Sequence, residues 1–194
     1  MMIETIQRII EDHKLAVQVF DSPEILSIIE QISGTIIHSL KNGGKILVCG
    51  NGGSAADAQH LAGEFVNRFN FNRPPLACMA LSTDTSVITA IGNDCSYDEI
   101  FSKQIEAFGK KGDILIAIST SGISANVIKA VDKAKAISII TVGLLGKDGG
   151  KLKNKCDIPL VLQLNNTPRI QECHILILHI ISEIVENSMF GDRS

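Results

Sequence analysis

Hydrophobic residues along the chain first recur at the spacing of amphipathic helices and then cluster into short continuous runs. The helical spacing predicts two helices at the start, Met2 to Phe20 and Pro23 to Lys41. The second helix has clear boundary signals, because Pro23 opens it and a turn-forming Asn42-Gly43-Gly44 follows it. We expect residues 1–41 to form a helical pair that packs on the core or on a partner subunit.

Five short apolar runs follow, and helix candidates separate them. The runs are predicted as β-strands over Lys45–Cys49, Leu76–Leu81, Asp113–Ser119, Ser138–Gly143 and Asp157–Gln163. The helix candidates are Ser54–Arg68, Thr85–Ile91 with a broken continuation to Phe108, Ser124–Ala136, a short segment Lys147–Asn154, and Pro168–Phe190. Strands that are apolar on both faces and alternate with helices indicate a parallel sheet covered on both sides. The pattern predicts one α/β domain over residues 1–194, with ligands bound beyond the carboxyl ends of the strands.

The amino-acid composition argues against several classes of function. A net charge of −3, no Trp and a single Tyr disfavour nucleic-acid binding. No apolar run approaches the roughly 20 residues of a membrane span, and the first residues are unlike a signal peptide. The five cysteines form no CxxC pair, which favours free thiols. We expect a cytoplasmic protein without a membrane or nucleic-acid partner. Ile and Leu on more than one face of the first and last helices indicate an oligomer.

A glycine-rich loop follows the first predicted strand. Three glycines lie within Gly50-Asn51-Gly52-Gly53, and Ser54 then opens a helix. Glycine lets the backbone lie close to a ligand, and a helix N-terminus favours an anionic group. The same residues fit the G-x-G-x-x-A pattern of dinucleotide-binding proteins, but that fold needs an acidic residue about 20 residues further on. None lies around Asn70, so a phosphate-type ligand is favoured over a nicotinamide cofactor.

A second candidate loop, Ser119-Thr120-Ser121-Gly122-Ile123-Ser124, follows the third predicted strand. Four hydroxyl groups at the start of a helix can donate hydrogen bonds to phosphate oxygens. A single Ser at such a place usually caps the helix, but a cap needs one hydroxyl and this loop has four. The loop therefore predicts binding of a phosphate or a phosphosugar.

Two of the predicted helices carry titratable side chains. His60 and Glu64 are four residues apart, so they share a helix face with Cβ atoms roughly 5–6 Å apart. The pair suits a zinc ion or a general acid and base, and an ordinary surface pair stays open on spacing alone. In the last predicted helix, Gln171 and His179 are separated by about 80° around the axis. His179 lies in an apolar setting, and spacing alone does not single it out over His174.

Six short segments of the chain match the sequence motifs of a known protein family. They are Cys49-Gly50-Asn51-Gly52-Gly53-Ser54, Asp57-Ala58-Gln59-His60, Gly92-Asn93-Asp94, Ser119-Thr120-Ser121-Gly122, Gly146-Lys147-Asp148-Gly149-Gly150 and Arg169-Ile170-Gln171-Glu172. Together they resemble the sugar isomerase (SIS) domain family, and within it the bacterial phosphoheptose isomerases. The resemblance covers nearly the whole chain and implies a three-layer α/β sandwich. The implied activity converts sedoheptulose 7-phosphate to D-glycero-D-manno-heptose 7-phosphate through a cis-enediol(ate), for the heptoses of lipopolysaccharide or capsule.

The resemblance also implies roles for individual residues. It implies one zinc ion per subunit, held by His60, Glu64, Gln171 and His179, with Glu64 and His179 also as the acid–base pair. The implied substrate contacts are Asn51, Gly52, Gly53, Ser54, Glu64, Asn93, Asp94 and Gln171, and the implied phosphate cradle is Ser119, Thr120, Ser121 and Ser124. The implied assembly is a homotetramer.

Two positions depart from the family pattern. Pro168 stands where some members carry an acid, and Gly63 stands where Ala or Glu is usual, which loosens the helix slightly. A non-catalytic relative, the DnaA initiator-associating protein, shares the glycine loop but lacks counterparts of Glu64 and His179. Because this chain has both, the resemblance favours an isomerase. A non-catalytic phosphosugar-binding or initiator-associating protein is the alternative.

Overall fold

Five parallel strands form one sheet in the computed structural model, which describes residues 1–191. In chain order the strands are β1 (Ile46–Cys49), β2 (Cys78–Ala80), β3 (Ile114–Ser119), β4 (Ile140–Gly146) and β5 (Ile158–Leu162). They lie across the sheet in the order β2-β1-β3-β4-β5, and every neighbouring pair is parallel. The order changes direction between β1 and β3, which is where doubly wound α/β proteins bind their ligands.

Helices cover both faces of this sheet. They are α1 (Met2–Ala16), α2 (Pro23–Lys41), α3 (Gly53–Val66), α4 (Thr85–Asp94), α5 (Ser102–Phe108), α6 (Ala125–Ala136) and α7 (Thr167–Phe190). On one face α2, α3 and α7 pack against the strands, and α1 lies along α7. On the other face α5 and α6 cover the sheet. The predicted fold class, a five-stranded parallel sheet flanked by helices and preceded by two helices, is confirmed.

The central strands are apolar on both sides and hold the sheet between two cores. In β3, Ile114, Ile116 and Ile118 belong to the core under α2, α3 and α7, while Leu115 and Ala117 belong to the core under α5 and α6. All six residues of β3 are buried. Burying a large apolar side chain contributes about 1.5–3 kcal/mol, so both cores fix the position of β3. The loop that follows it is therefore anchored on a rigid strand.

The structure corrects two predicted segments near the end of the sheet. The helix predicted at Lys147–Asn154 is wrong, because only Leu152–Asn154 forms a helical turn, of the 3₁₀ type. Lys147, Gly149 and Gly150 have positive φ, which an α-helix does not accommodate. The fourth strand begins and ends later than predicted and reaches Gly146, since it pairs with β3 on one side and β5 on the other.

The helical predictions hold with smaller differences. The first helix ends at Ala16, and the 3₁₀ segment Val17–Asp21 completes the stretch that was predicted as helix to Phe20. The broken helix predicted from Thr85 to Phe108 consists of α4, a 3₁₀ turn and α5. The second strand is three residues long, because it pairs with β1 alone at the edge of the sheet.

One helix among residues 1–191, α7, is long and apolar enough to cross a membrane by length and composition. Its apolar side chains pack against α2 and α3 in the core, where Ile177, Leu178 and Ile181 are fully buried. It also carries the buried polar residues His174 and Glu186. These contacts are those of a core helix in a globular protein.

Candidate active site

The glycine loop (Gly50–Gly53) and the serine loop (Ser119–Ser124) lie side by side at the carboxyl edge of the sheet. They follow β1 and β3, which are hydrogen-bonded neighbours with Cys49 paired to Ala117. The glycine loop leads into α3, and the serine loop leads into α6. Two helix N-termini therefore meet at the switch point of the sheet. This arrangement favours an anionic ligand.

The glycine loop needs two of its glycines for different reasons. Gly52 has a φ of +55°, in the left-handed region that side chains disfavour. Gly53 allows close approach, because a Cβ there would lie 2.3 Å from the side-chain nitrogen of Gln171. The amide of Gln171, on α7, is thereby packed against this loop. Ser54 is buried and donates its N–H to the carbonyl of Asn51, so it shapes the turn, and its predicted substrate contact stays a prediction.

A pair of asparagine amides ties the glycine loop to α6. The Asn51 side chain donates to Oδ1 of Asn126 at 2.8 Å, and the Asn126 side chain donates back to Oδ1 of Asn51 at 2.9 Å. The Tyr97 hydroxyl adds a third bond, to Oδ1 of Asn51 at 3.2 Å. Asn126 is buried, and such a satisfied polar pair is rigid. The two loops therefore keep a fixed separation.

The serine loop is not a simple helix cap. Ser124 precedes α6, but its side chain accepts no capping hydrogen bond within the described part of the chain. Its hydroxyl lies 3.4 Å from that of Ser119, which accepts the N–H of Gly122 at 3.0 Å. Thr120 and Ser121 are partly exposed, so hydroxyl groups line the start of α6. The one-hydroxyl cap interpretation does not describe this loop.

Gly122 seats the serine loop against the turn at residues 147–150. Gly122 has a φ of +67°, and a Cβ there would lie 2.0 Å from the carbonyl oxygen of Gly149. The N–H of Leu152 donates to the Gly122 carbonyl at 3.1 Å. Because Gly149 and Gly150, which were predicted as helix, have no side chains, the backbone of the serine loop packs directly against them.

Three titratable side chains converge from α3 and α7. The Nε2 atoms of His60 and His179 are 2.8 Å apart, and Nε2 of His60 lies 3.2 Å from Oε1 of Glu64. One ligand atom from each residue falls within 4.8 Å of the other two. Two imidazole nitrogens and a carboxylate oxygen are donors that zinc accepts. The predicted pairing of His60 with Glu64 is present, and His179 joins them from a helix 119 residues away along the chain.

Two further predicted substrate contacts lie at the end of α4. Asn93 and Asp94 end α4, are exposed, and are joined by a 2.8 Å hydrogen bond between their side chains. Tyr97 follows three residues later and reaches Asn51, which brings this segment towards the glycine loop.

The structure shows which histidine of α7 belongs to the site, His179 or His174, a choice that sequence spacing left undecided. His174 is fully buried, and neither ring nitrogen forms a hydrogen bond of ordinary geometry within residues 1–191, although the backbone of Leu145 lies near the ring. Burial lowers the pKa of His174 to about 4, against an opposing contribution from the backbone at Leu145. His174 is therefore a neutral core residue at pH 7. His179 is half-buried and faces His60.

Comparison with known proteins identifies the relatives of this chain. The model of the SIS domain family matches residues 21–146. A phosphoheptose isomerase of Clostridium acetobutylicum is 55% identical over 165 residues, covering 85% of this chain and 84% of the relative. One of Trichlorobacter lovleyi is 50% identical, covering 94% and 92%. The solved structure of the phosphoheptose isomerase GmhA from Neisseria gonorrhoeae has a TM-score of 0.91 at 41% identity, covering 96% of this chain and 100% of that one.

The chain belongs to the phosphoheptose isomerase family of SIS-domain proteins. It is an isomerase, as the predicted resemblance implied. The match to the family model ends at Gly146, whereas α7, which carries Gln171 and His179, lies beyond it.

Several residues around the candidate site were not predicted from the sequence. Asn126 and Tyr97 gave no signal, because their partner Asn51 is far away along the chain. Phe69 packs on His179 with ring centroids 5.7 Å apart. Asp57 precedes His60 by one helical turn on α3, and that spacing was visible in the sequence. Burial raises the pKa of Asp57 to about 6, although His60 opposes the shift.

Proposed function

We propose that this protein converts sedoheptulose 7-phosphate to D-glycero-D-manno-heptose 7-phosphate. The observation that carries the proposal is the placement of Glu64 and His179 on facing helices, with α3 beginning at the glycine loop. An aldose–ketose isomerase must bind a phosphate at one end of an open-chain sugar and move a proton at the other. The serine loop supplies hydroxyls and a helix N-terminus for the phosphate.

The catalytic cluster of His60, Glu64 and His179 has side chains that suit the removal of a proton from one carbon and the return of a proton to the next. In our proposal Glu64 removes a proton from C1 of the ketose, and the C–H electrons form the C1–C2 double bond of a cis-enediol(ate) while O2 is protonated. His179 donates the proton to O2 and takes the proton from O1 as the aldehyde forms at C1. With the assistance of His179, the electrons of the C1–C2 double bond take up a proton at C2 from Glu64, and both side chains return to their starting forms. One positioned acid or base typically contributes about 10²–10⁴-fold to the rate.

We also propose that zinc binds at this cluster. His60, Glu64 and His179 are the ligands that the geometry supports, and Gln171 is the fourth by family resemblance. The 2.8 Å contact between the two Nε2 atoms is satisfied either by an N–H of one ring that donates to the other or by a cation that both nitrogens bind. When bound, zinc supplies a Lewis acid for a carbonyl or enediolate oxygen. Elemental analysis of protein purified without added metal tests this. Metal-free protein whose activity survives a chelator contradicts it.

A panel of phosphosugars tests the proposed substrate. We expect sedoheptulose 7-phosphate to have the highest kcat/KM among ketose phosphates of five to seven carbons, in an assay that is coupled to the aldose product. Turnover of a shorter sugar alone would reassign the substrate. No turnover of any of them, together with capture of the replication initiator in a pulldown, would favour the initiator-associating alternative.

We further propose that the reaction is cytoplasmic and supplies heptose for lipopolysaccharide or capsule. This placement rests on the substrate of the proposed reaction and on free cysteines among the described residues.

We propose a homotetramer as the working assembly. Ile3, Ile6 and Ile10 of α1 are 69%, 54% and 50% exposed, and their i, i+3, i+7 spacing places them on one strip of the helix. Replacing Ile6 with Glu should shift the mass measured by light scattering to a smaller species, because a charge in an apolar interface is destabilising. The matched variant Arg8→Glu, on the polar side of α1, should keep the tetramer. A wild-type mass below that of four chains, whether monomer or dimer, contradicts the proposal.

A further inference from the structure

A buried ion pair connects the two helices of the catalytic cluster at a point remote from the substrate loops. Glu186 of α7 and Arg73, in the segment after α3, are 1% and 2% exposed at their side chains. Nε of Arg73 donates to Oε1 of Glu186 at 2.9 Å. Nothing in the proposed chemistry uses either residue.

Glu186 also holds the backbone that follows α3. Its Oε1 accepts the N–H of Phe69 at 2.8 Å, and its Oε2 accepts the N–H of Asn70 at 2.6 Å. Burial raises the pKa of Glu186, but the donors at Asn70, Phe69 and Arg73 outweigh it and hold the pKa below its ordinary value. The group is therefore a carboxylate at pH 7 with three donors.

Arg73 links Glu186 to the end of α3. Its terminal nitrogens donate to the carbonyls of Glu64 and Phe65, each at 2.6 Å, at the end of α3. These carbonyls belong to the last turn of a helix, where no intrahelical partner is available. Arg73 thus binds the backbone of Glu64 itself and joins it to α7.

The segment after α3 that Glu186 holds also contacts His179. Phe69, whose N–H is held by Glu186, places its ring 5.7 Å from the ring of His179. Glu186 is seven residues after His179, two helical turns along the same side of α7. One ion pair therefore contacts the backbone of the base and positions the ring that packs on the acid.

We infer that the Arg73–Glu186 pair is a positioning device that sets the separation of Glu64 from His179 across α3 and α7. The inference rests on the proposed function of that pair of residues. Displacing a catalytic group by about 1 Å costs on the order of 10²-fold in rate. Neighbours that orient metal ligands typically contribute 10–100-fold in affinity or activity.

The chain offers a matched control at the opposite edge of the sheet. Asp113 is also fully buried, and it accepts two backbone N–H groups, of Lys45 and Lys110, together with the Lys45 ammonium. It lies just before β3, whereas the substrate loops follow the other ends of the strands. Asp113→Asn therefore removes a buried carboxylate of the same kind without touching the site.

The test compares Glu186→Gln, Arg73→Lys and Asp113→Asn at a temperature well below the melting point of each. We expect Glu186→Gln and Arg73→Lys to lower kcat at least tenfold and to change KM less than twofold, since neither residue contacts the serine loop. We expect both to weaken Co²⁺ binding to the metal-free protein at least tenfold. Asp113→Asn should keep kcat and the Co²⁺ affinity within twofold of wild type, although it lowers the melting temperature similarly. Arg73→Lys keeps the charge and guards against a Glu186 variant that fails to fold.

Two outcomes separate the inference from the function. Wild-type kcat and Co²⁺ affinity in both site variants, or equal losses in Asp113→Asn, overturn the positioning role and leave the isomerase intact. A wild-type protein that neither isomerises the heptose phosphate nor binds Co²⁺ overturns both.

Discussion

Replacing Glu64 with Gln should lower kcat for sedoheptulose 7-phosphate by about 10²–10⁴-fold and leave KM within a few-fold of wild type. The amide keeps the shape of the carboxylate but cannot take the C1 proton. Glu64 is half-buried, and its Oε1 lies 3.2 Å from Nε2 of His60. Because Gln has nearly the same size as Glu, the substitution removes a charge without creating a cavity. Steady-state kinetics by the coupled assay measures both constants.

The control for this variant is Glu106→Gln. Glu106 is an exposed carboxylate on α5 that forms a surface ion pair with Lys133. Such pairs contribute little to stability, so kcat and KM should match those of wild type. Turnover of Glu64→Gln within a few-fold of wild type removes Glu64 as the base.

Replacing Gly122 with Ala should have the opposite kinetic signature, a rise in KM of at least tenfold. The new Cβ would lie 2.0 Å from the carbonyl oxygen of Gly149, and both groups belong to backbone that cannot rotate away. The serine loop must therefore move from the turn at residues 147–150, and its hydroxyls move with it. A titration with inorganic phosphate should show the same loss of affinity.

Gly112→Ala separates this contact from backbone strain alone. Gly112 has a φ of +95°, but nothing lies within 4 Å of a Cβ there. An Ala in the left-handed region costs about 1–2 kcal/mol, so Gly112→Ala should lower the melting temperature and leave KM unchanged. An unchanged KM in Gly122→Ala would mean that the serine loop does not hold the phosphate.

Much of the fold was predictable because its pattern is local. The apolar runs around Leu47 and Ile116 form strands that are buried on both faces of the sheet. Such continuous apolar runs are visible in the sequence without a structure. The turn at Gly149-Gly150 was misassigned as helix, because its positive φ values serve the contact with Gly122, which is distant along the chain. Tertiary contacts override local preference at such positions.

The candidate site was predictable only in parts. Spacing on one helix placed His60 beside Glu64, but it did not distinguish His179 from His174, because that choice depends on how α7 lies against α3. The family resemblance made that choice. The Arg73–Glu186 pair left no trace in the sequence, since its partners are 113 residues apart and neither belongs to a short motif.

In the proposed reaction Glu64 and His179 move a proton between adjacent carbons of a phosphosugar. The most direct measurement is NMR of sedoheptulose 7-phosphate after prolonged incubation with the enzyme in D₂O. We expect deuterium at C2 of the aldose and at C1 of the remaining ketose, and no incorporation with Glu64→Gln. Conversion to the aldose without any deuterium, or unchanged incorporation by Glu64→Gln, would contradict it.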